Sequence, residues 1–70
     1  MITVDSKLRD IVEFPEALEV FDKYIPGFSK SKRLKLGYSM SFRQLSKFTE
    51  LKEDQLGDLN KDLIALGLEG

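Results

Sequence analysis

Residues 15–24 read Pro-Glu-Ala-Leu-Glu-Val-Phe-Asp-Lys-Tyr, and this stretch decides the fold class. Pro15 suits the first turn of a helix, because its missing N–H would have no partner there. The apolar residues recur at the i, i+1, i+4, i+7 and i+8 positions of one helical face: Ala17, Leu18, Phe21, Tyr24 and Ile25. Pro26 and Gly27 end the pattern. The stretch therefore predicts an amphipathic helix.

The N-terminal segment predicts a second, shorter helix. An apolar stripe runs from Leu8 to Val12, and Asp5 or Ser6 offers a side-chain oxygen as the N-cap. The helix should cover residues 6–13 and end before the proline that follows. It ends there because the residue before a proline is pushed out of the α region.

A capping box predicts a short helix in the second half of the chain. Ser41 and Gln44 have the spacing in which the serine caps the helix and the glutamine reaches back. We expect this helix to cover residues 42–48, with an apolar face made of Phe42, Leu45 and Phe48.

A leucine repeat predicts the last helix, which starts near Glu53 and has Gly67 as its C-cap. The leucines are spaced by three, four and three: Leu56, Leu59, Leu63 and Leu66. Residues 29–40 are ambiguous, because their apolar residues also alternate as in a strand that would pair with residues 2–4. We favour a short helix or an irregular turn that ends near Gly37.

Together these patterns predict one all-α domain over residues 1–70, a compact bundle of four to five short helices with orthogonal, helix-turn-helix-like packing. A chain of this length buries only about 60% of its unfolded surface. It has no cysteine for a disulfide. The isolated domain should be marginally stable, which favours a neighbouring domain, a protein partner or self-association.

The absence of Cys, His and Trp excludes several chemistries. Thiolate nucleophiles, thiol redox reactions, ordinary zinc sites and Ser-His-Asp triads all need Cys or His. Acidic pairs at helical spacing, such as Asp58 with Asp62, are typical of a solvated face. We expect no catalytic residue, no cofactor, no metal and no enzyme activity. The sequence has no signal peptide or membrane span, so we expect a cytoplasmic protein without membrane contact.

Charge is unevenly distributed, although the formal net charge is only −1. Residues 1–28 hold three basic and six acidic side chains, and residues 50–70 hold two basic and six acidic ones. Residues 29–49 hold six basic side chains and no acidic one. Such a patch attracts the opposite charge, so the middle of the chain is the main candidate for binding.

We predict an interaction surface where this basic run meets aromatic residues. It comprises Phe28, Lys30, Lys32, Arg33, Lys35, Tyr38, Arg43 and Lys47. Seven aromatic residues exceed what so small a core should hold, so we expect Phe28, with Tyr38 or Phe14, to reach the surface. The plainer alternatives are a solvated loop whose charges pair with the acidic helices, and ordinary partial burial of the aromatic residues.

A basic surface fits an acidic protein partner, and it also fits a nucleic acid or another polyanion. The slightly negative net charge disfavours general affinity for nucleic acids. Residues 41–66 have the order of a helix-turn-helix, but four acidic residues on the second helix would repel DNA. We therefore predict a non-catalytic accessory or protein-interaction module that binds a protein or a neighbouring domain. A homo-oligomer and a small polyanion-binding domain are the alternatives.

Two frames in the N-terminal half carry a family resemblance. They read Thr-Val-Asp-x-x-Leu-x-Asp-Ile-Val over residues 3–12 and Pro-Glu-Ala-x-Glu-Val-Phe-x-Lys-Tyr over residues 15–24. The chain thereby resembles the hybrid-cluster-protein-associated redox disulfide domains, which implies an all-α fold of about this length. The cysteine pair of that family falls where this chain has Ile-Pro-Gly-Phe-Ser. Disulfide exchange needs a thiolate, so the resemblance implies no redox activity here.

A second resemblance covers residues 24–28, residues 37–45 and the leucine-rich helix. These segments are similar to small C-terminal accessory domains of bacterial glycoside hydrolases and esterases. Such domains follow a catalytic domain and carry no catalytic residue. The resemblance implies an accessory role for this chain.

Overall fold

The computed structural model describes residues 1–69, except for the side chain of Arg33. Over this part of the chain the structure has five α-helices, one short 3₁₀ helix and no β-strand. The α-helices are α1 (Leu8–Ile11), α2 (Pro15–Tyr24), α3 (Arg33–Leu36), α4 (Phe42–Ser46) and α5 (Glu53–Ala65), and the 3₁₀ helix covers Phe28–Lys30. The predicted all-α bundle of short helices is confirmed.

The helix α2 has the bounds that its sequence predicts. Phe14 before it has an extended backbone, and Pro15 takes the first helical position. Ala17 and Phe21 are fully buried, and α2 packs against α5. After α2, Gly27 has a φ of 81°, a left-handed conformation that glycine adopts without the Cβ penalty. This turn directs the chain into the 3₁₀ helix.

The helix α1 is a single turn rather than the predicted helix over residues 6–13, and neither Asp5 nor Ser6 caps it. The hydroxyl oxygen of Ser6 instead accepts the backbone N–H of Thr3 at 3.0 Å. The carboxylate of Asp5 instead binds Arg43. Both oxygens have other partners, so the predicted cap was wrong.

Backbone carbonyls from the segment before α4 replace that side-chain cap. The N–H of Leu8 donates to the carbonyl of Met40 at 2.8 Å, and the N–H of Arg9 donates to the carbonyl of Tyr38 at 3.1 Å. The first N–H groups of a helix lack acceptors within the helix, and these two carbonyls serve as their acceptors. Residues 34–40, whose apolar residues alternate, therefore form two backbone hydrogen bonds to α1 and no strand.

The favoured prediction for residues 29–40 is confirmed, since α3 is a short helix and Gly37 is its C-cap. Gly37 is buried, and a Cβ added to it would lie 3.2 Å from Leu45 Cδ1. That distance is tighter than an ordinary van der Waals contact. The absent side chain thus allows α3 and α4 to approach each other.

The capping box predicted for α4 is present. The N–H of Gln44 donates to Ser41 Oγ at 3.2 Å, and the N–H of Ser41 donates to Gln44 Oε1 at 3.1 Å. The helix ends at Ser46, two residues before the predicted end. Residues 47–49 continue with i to i+3 backbone hydrogen bonds, which are the bonds of a 3₁₀ turn.

The helix α5 begins at the predicted residue. Its C-cap is Leu66 rather than the predicted Gly67, which comes one residue later with a φ of 65°. Three of the four leucines are buried as predicted: Leu56, Leu59 and Leu63. Leu66 lies beyond the helix and is 39% exposed. The carbonyl of Leu68 accepts the N–H of Ile2 at 2.9 Å, so the two ends of the chain close the core together.

Three phenylalanine rings lie in contact inside the core. The ring centroid of Phe21 is 4.5 Å from that of Phe42 and 5.3 Å from that of Phe28, while Phe28 meets Phe42 edge to face at 5.5 Å. Such tilted and edge-to-face pairs are favourable for aromatic quadrupoles. Phe28 is only 7% exposed, so the prediction that it reaches the surface is wrong. Tyr38 and Phe14 are half-buried against the same core.

Candidate interaction surface

Two grooves meet where the 3₁₀ helix and α3 face the end of α4. The apolar groove has a volume of about 350 Å³ and is lined by Ile25, Pro26, Gly27, Phe28, Ser31, Leu34, Leu45, Phe48 and Thr49. The basic groove has a volume of about 540 Å³ and is lined by Ser29, Lys30, Ser31, Lys32, Leu34, Lys35 and Tyr38. Because both grooves include Ser31 and Leu34, they form one continuous surface.

Phe48 is 77% exposed on the wall of the apolar groove, which corrects its predicted place on the apolar face of α4. Phe48 lies two residues beyond the end of α4, in the 3₁₀ turn over residues 47–49. The apolar face of the helix therefore reaches only to Leu45: Phe42 is fully buried and Leu45 is half-buried.

The apolar groove was not predicted as a site, because its walls come from two separate segments of the chain. Residues 25–34 supply one wall, and residues 45–49 supply the other. Phe28 belongs to both the core and the groove, because its ring packs on Phe21 and Phe42 while the residue still lines the groove. The helical pattern of the sequence does not locate this exposed ring, because α4 ends at Ser46.

Three of the predicted surface lysines line the basic groove together: Lys30, Lys32 and Lys35. All three are exposed, and none of them forms an ion pair within 4 Å of a described residue. Tyr38 lines the same groove and is half-buried. None of these three lysines therefore forms a direct ion pair with the acidic helices, although the charge of Lys30 reaches Asp22 on α2. The groove presents three lysines without a direct carboxylate partner.

Two other predicted residues lie outside both grooves. Arg43 Nε is 2.7 Å from Asp5 Oδ1, and its backbone N–H donates to the carbonyl of Val4 at 2.9 Å. The hydrogen bond and the charge of Asp5 raise the pKa of Arg43, and Arg43 lowers the pKa of Asp5. Arg43 and Lys47 line a separate groove of about 510 Å³ beside α5. The side chain of Arg33, also predicted for the surface, lies outside the described part of the chain.

Asp22 on α2 fixes the start of the basic segment. Its Oδ1 accepts the N–H of Ser29 at 2.8 Å, and its Oδ2 accepts the hydroxyl of Ser29 at 2.6 Å. These two hydrogen bonds, followed by the charge of Lys30, lower the pKa of Asp22. The carboxylate therefore stays ionised and holds the 3₁₀ helix against α2.

The described residues contain no group of three or more His, Cys, Asp or Glu side chains that could hold a metal ion. None of the helices in residues 1–69 has the length and apolar character needed to cross a bilayer. Comparison of the chain with protein-family models, curated proteins and solved structures finds no match. The resemblances to redox disulfide domains and to accessory domains of hydrolases therefore stay predictions.

Proposed function

We propose that the chain is a non-catalytic helical module that binds a protein partner, or a neighbouring domain, through the apolar and basic grooves. The observation that carries this proposal is the exposure of Phe48, whose side chain stands 77% exposed on the wall of an apolar groove. Exposed aromatic side chains in apolar patches with a polar rim are typical of protein-binding sites. The basic groove, which is continuous with the apolar one, supplies that rim.

The side chains that line the grooves support binding rather than catalysis. Among the described residues no carboxylate lines either groove, so neither groove offers a carboxylate as a general acid or base. The hydroxyl of Ser29 is already held by Asp22. The lining residues thus offer apolar contact and positive charge, which serve recognition.

Selection of random peptides tests the proposal. Peptides displayed on phage are selected on the immobilised chain, and in parallel on the Phe48→Ser and Ile64→Ser variants. Ile64 is the matched control, because it is an exposed apolar residue on α5 that lines neither groove. We expect the parent chain and the Ile64→Ser variant to enrich the same peptides, and the Phe48→Ser variant to lose them.

Far-UV circular dichroism shows whether each variant keeps its helices. Phe48 is exposed, so its replacement should leave the helical signal unchanged. Failure to enrich any peptide whose binding depends on Phe48, with all three proteins folded, would refute the proposed function.

A further inference from the structure

We infer that the partner segment is an acidic stretch of polypeptide that places a large apolar side chain in the apolar groove and carboxylates over the basic groove. The inference rests on the proposed function and names the chemistry of the partner. It follows from three observations on the two grooves.

The first observation is a group of lysines without direct ion pairs. Lys30, Lys32 and Lys35 line one groove without an ion pair within 4 Å of a described residue. The sequence has no acidic residue over residues 29–49, and Asp22, which lies outside the groove, offsets part of the charge of Lys30. A partner carboxylate would therefore be attracted, whereas a basic partner would be repelled.

The second observation is the lining of the apolar groove. Ile25, Leu34 and Leu45 supply aliphatic surface, and Phe48 supplies an exposed ring. The volume of about 350 Å³ is at the lower end of the range for ligand pockets. Such a groove gains most from a buried aromatic or aliphatic anchor, which is where interfaces concentrate their binding energy.

The same lining favours a peptide over a single-stranded nucleic acid. Bases bind by stacking on successive aromatic side chains along a basic groove. Here the ring of Phe28 is occupied by the core, and Tyr38 in the basic groove is half-buried. Phe48 is the one strongly exposed aromatic side chain that lines the described grooves.

The third observation is that the grooves share Ser31 and Leu34. An apolar anchor in one groove therefore lies beside the lysines of the other. A short partner segment can satisfy both, provided that its large apolar residue and its carboxylates are close in sequence. This spacing makes the inference testable with peptides.

The experiment uses the peptides that the parent chain enriches. Each peptide is synthesised in three forms: as selected, with Asp and Glu replaced by Asn and Gln, and with its large apolar residues replaced by Ser. Binding to the full chain is measured by fluorescence anisotropy at low and high salt. We expect the amide form and the serine form each to bind at least about tenfold more weakly than the selected form. High salt should weaken the binding of the selected and serine forms only, because these two forms keep the carboxylates whose charge salt screens.

A chain variant supplies the reciprocal measurement. Replacement of Lys30, Lys32 and Lys35 by Gln should weaken binding of the selected peptide by at least about tenfold and leave the amide form unaffected. Lys61→Gln is the matched control, because Lys61 is an exposed lysine on α5 outside both grooves. All four lysines are exposed, so these variants should keep the fold.

Five outcomes would overturn the inference. One such outcome is the enrichment of neutral or basic peptides whose binding needs Phe48. Another is binding of the amide form as tight as that of the selected form. Either would refute the acidic partner and leave the proposed function standing. Tighter binding of an oligothymidylate than of any peptide, with loss in Phe48→Ser, would assign the grooves to nucleic acid. A dimer seen by sedimentation and lost in Phe48→Ser would assign them to a second copy of this chain. Failure of the parent chain to enrich any peptide whose binding depends on Phe48 would refute both proposals.

Discussion

The hydroxyl of Tyr24 donates a hydrogen bond to Asp62 Oδ2 at 2.7 Å, and this bond joins α2 to α5. Lys23 Nζ lies 3.6 Å from the same oxygen and 5.6 Å from the centre of the Tyr24 ring. The hydrogen bond to Asp62 raises the pKa of Tyr24 to about 12. The hydrogen bond from Tyr24 and the charge of Lys23 lower the pKa of Asp62. The contact needs a protonated phenol and an ionised carboxylate.

This contact predicts the titration of Tyr24. In a Tyr38→Phe variant, Tyr24 is the remaining tyrosine, and its absorbance at 295 nm should titrate near pH 12 instead of the usual value of about 10. Asp62→Asn should lower the midpoint towards 10, because the carboxylate is lost. Asp58→Asn should lower it less, since Asp58 acts only by charge. A midpoint near 10 with the helical signal intact would contradict the bond.

The two pKa shifts also set the pH range over which the contact stabilises the fold. Tyr24 has a raised pKa in the folded state, so its contribution is complete below pH 10 and is lost as the pH rises towards 12. Asp62 has a lowered pKa, so its contribution is present above about pH 4 and is lost as the pH falls through the folded-state pKa. Urea unfolding measured across pH should therefore show, in Tyr24→Phe, a smaller loss of stability at both the alkaline and the acidic end.

A pair of phenylalanines predicts a large and a small effect of the same substitution. Phe21 is fully buried and contacts two other rings, whereas Phe48 is 77% exposed. Phe21→Ala should cost about 3–5 kcal/mol, which a domain of this size can hardly lose without unfolding. Phe48→Ala should change the free energy of unfolding by no more than about 0.5 kcal/mol. Urea unfolding followed by circular dichroism measures both. Similar losses from the two variants would place Phe48 in the core.

The local sequence predicted the bounds of α2 and the start of α5, because both depend on patterns within a few residues. Pro15 opens α2, and the buried faces of both helices follow the 3.6-residue repeat. Contacts between residues distant in the sequence were not predicted. Asp5 was expected to cap α1, but it pairs with Arg43, which is 38 residues away. No local pattern could show that partner.

The candidate surface was predicted only in part, for the same reason. The run from Lys30 to Lys35 was found from composition, and the structure places three of its lysines in one groove. The apolar groove needs residues 25–34 and residues 45–49 to meet, and only the folded chain brings them together. The number of aromatic residues predicts Phe28 at the surface, because seven aromatic side chains exceed what so small a core should hold. The ring pairs show that the core holds it.

Two glycines predict opposite effects of the same added methyl group. A Cβ added at Gly27 or at Gly57 would have no atom within 4 Å, so neither position lacks room for a methyl group. Gly27 has a φ of 81°, where an L-residue costs about 1–2 kcal/mol, so Gly27→Ala should destabilise the fold by that amount. Gly57 lies inside α5, so Gly57→Ala should stabilise the fold by about 0.5–1 kcal/mol. Thermal unfolding measures both. A destabilising Gly57→Ala would contradict the helical assignment at this position.

The capping box of α4 predicts coupling between Ser41 and Gln44. Each side chain accepts the backbone N–H of the other residue, so Ser41→Ala should cost about 1 kcal/mol through the lost cap. Residues that share one small network are not additive, so the double variant with Gln44→Ala should cost less than the two single changes together. Ser39→Ala is the matched control, because Ser39 is an exposed serine outside any helix. Urea unfolding of the four variants gives these differences. Equal losses from Ser39→Ala and Ser41→Ala would mean that the cap does not stabilise α4, and that α4 is held in place by the burial of Phe42 and by the bonds of Arg43 to Asp5 and Val4.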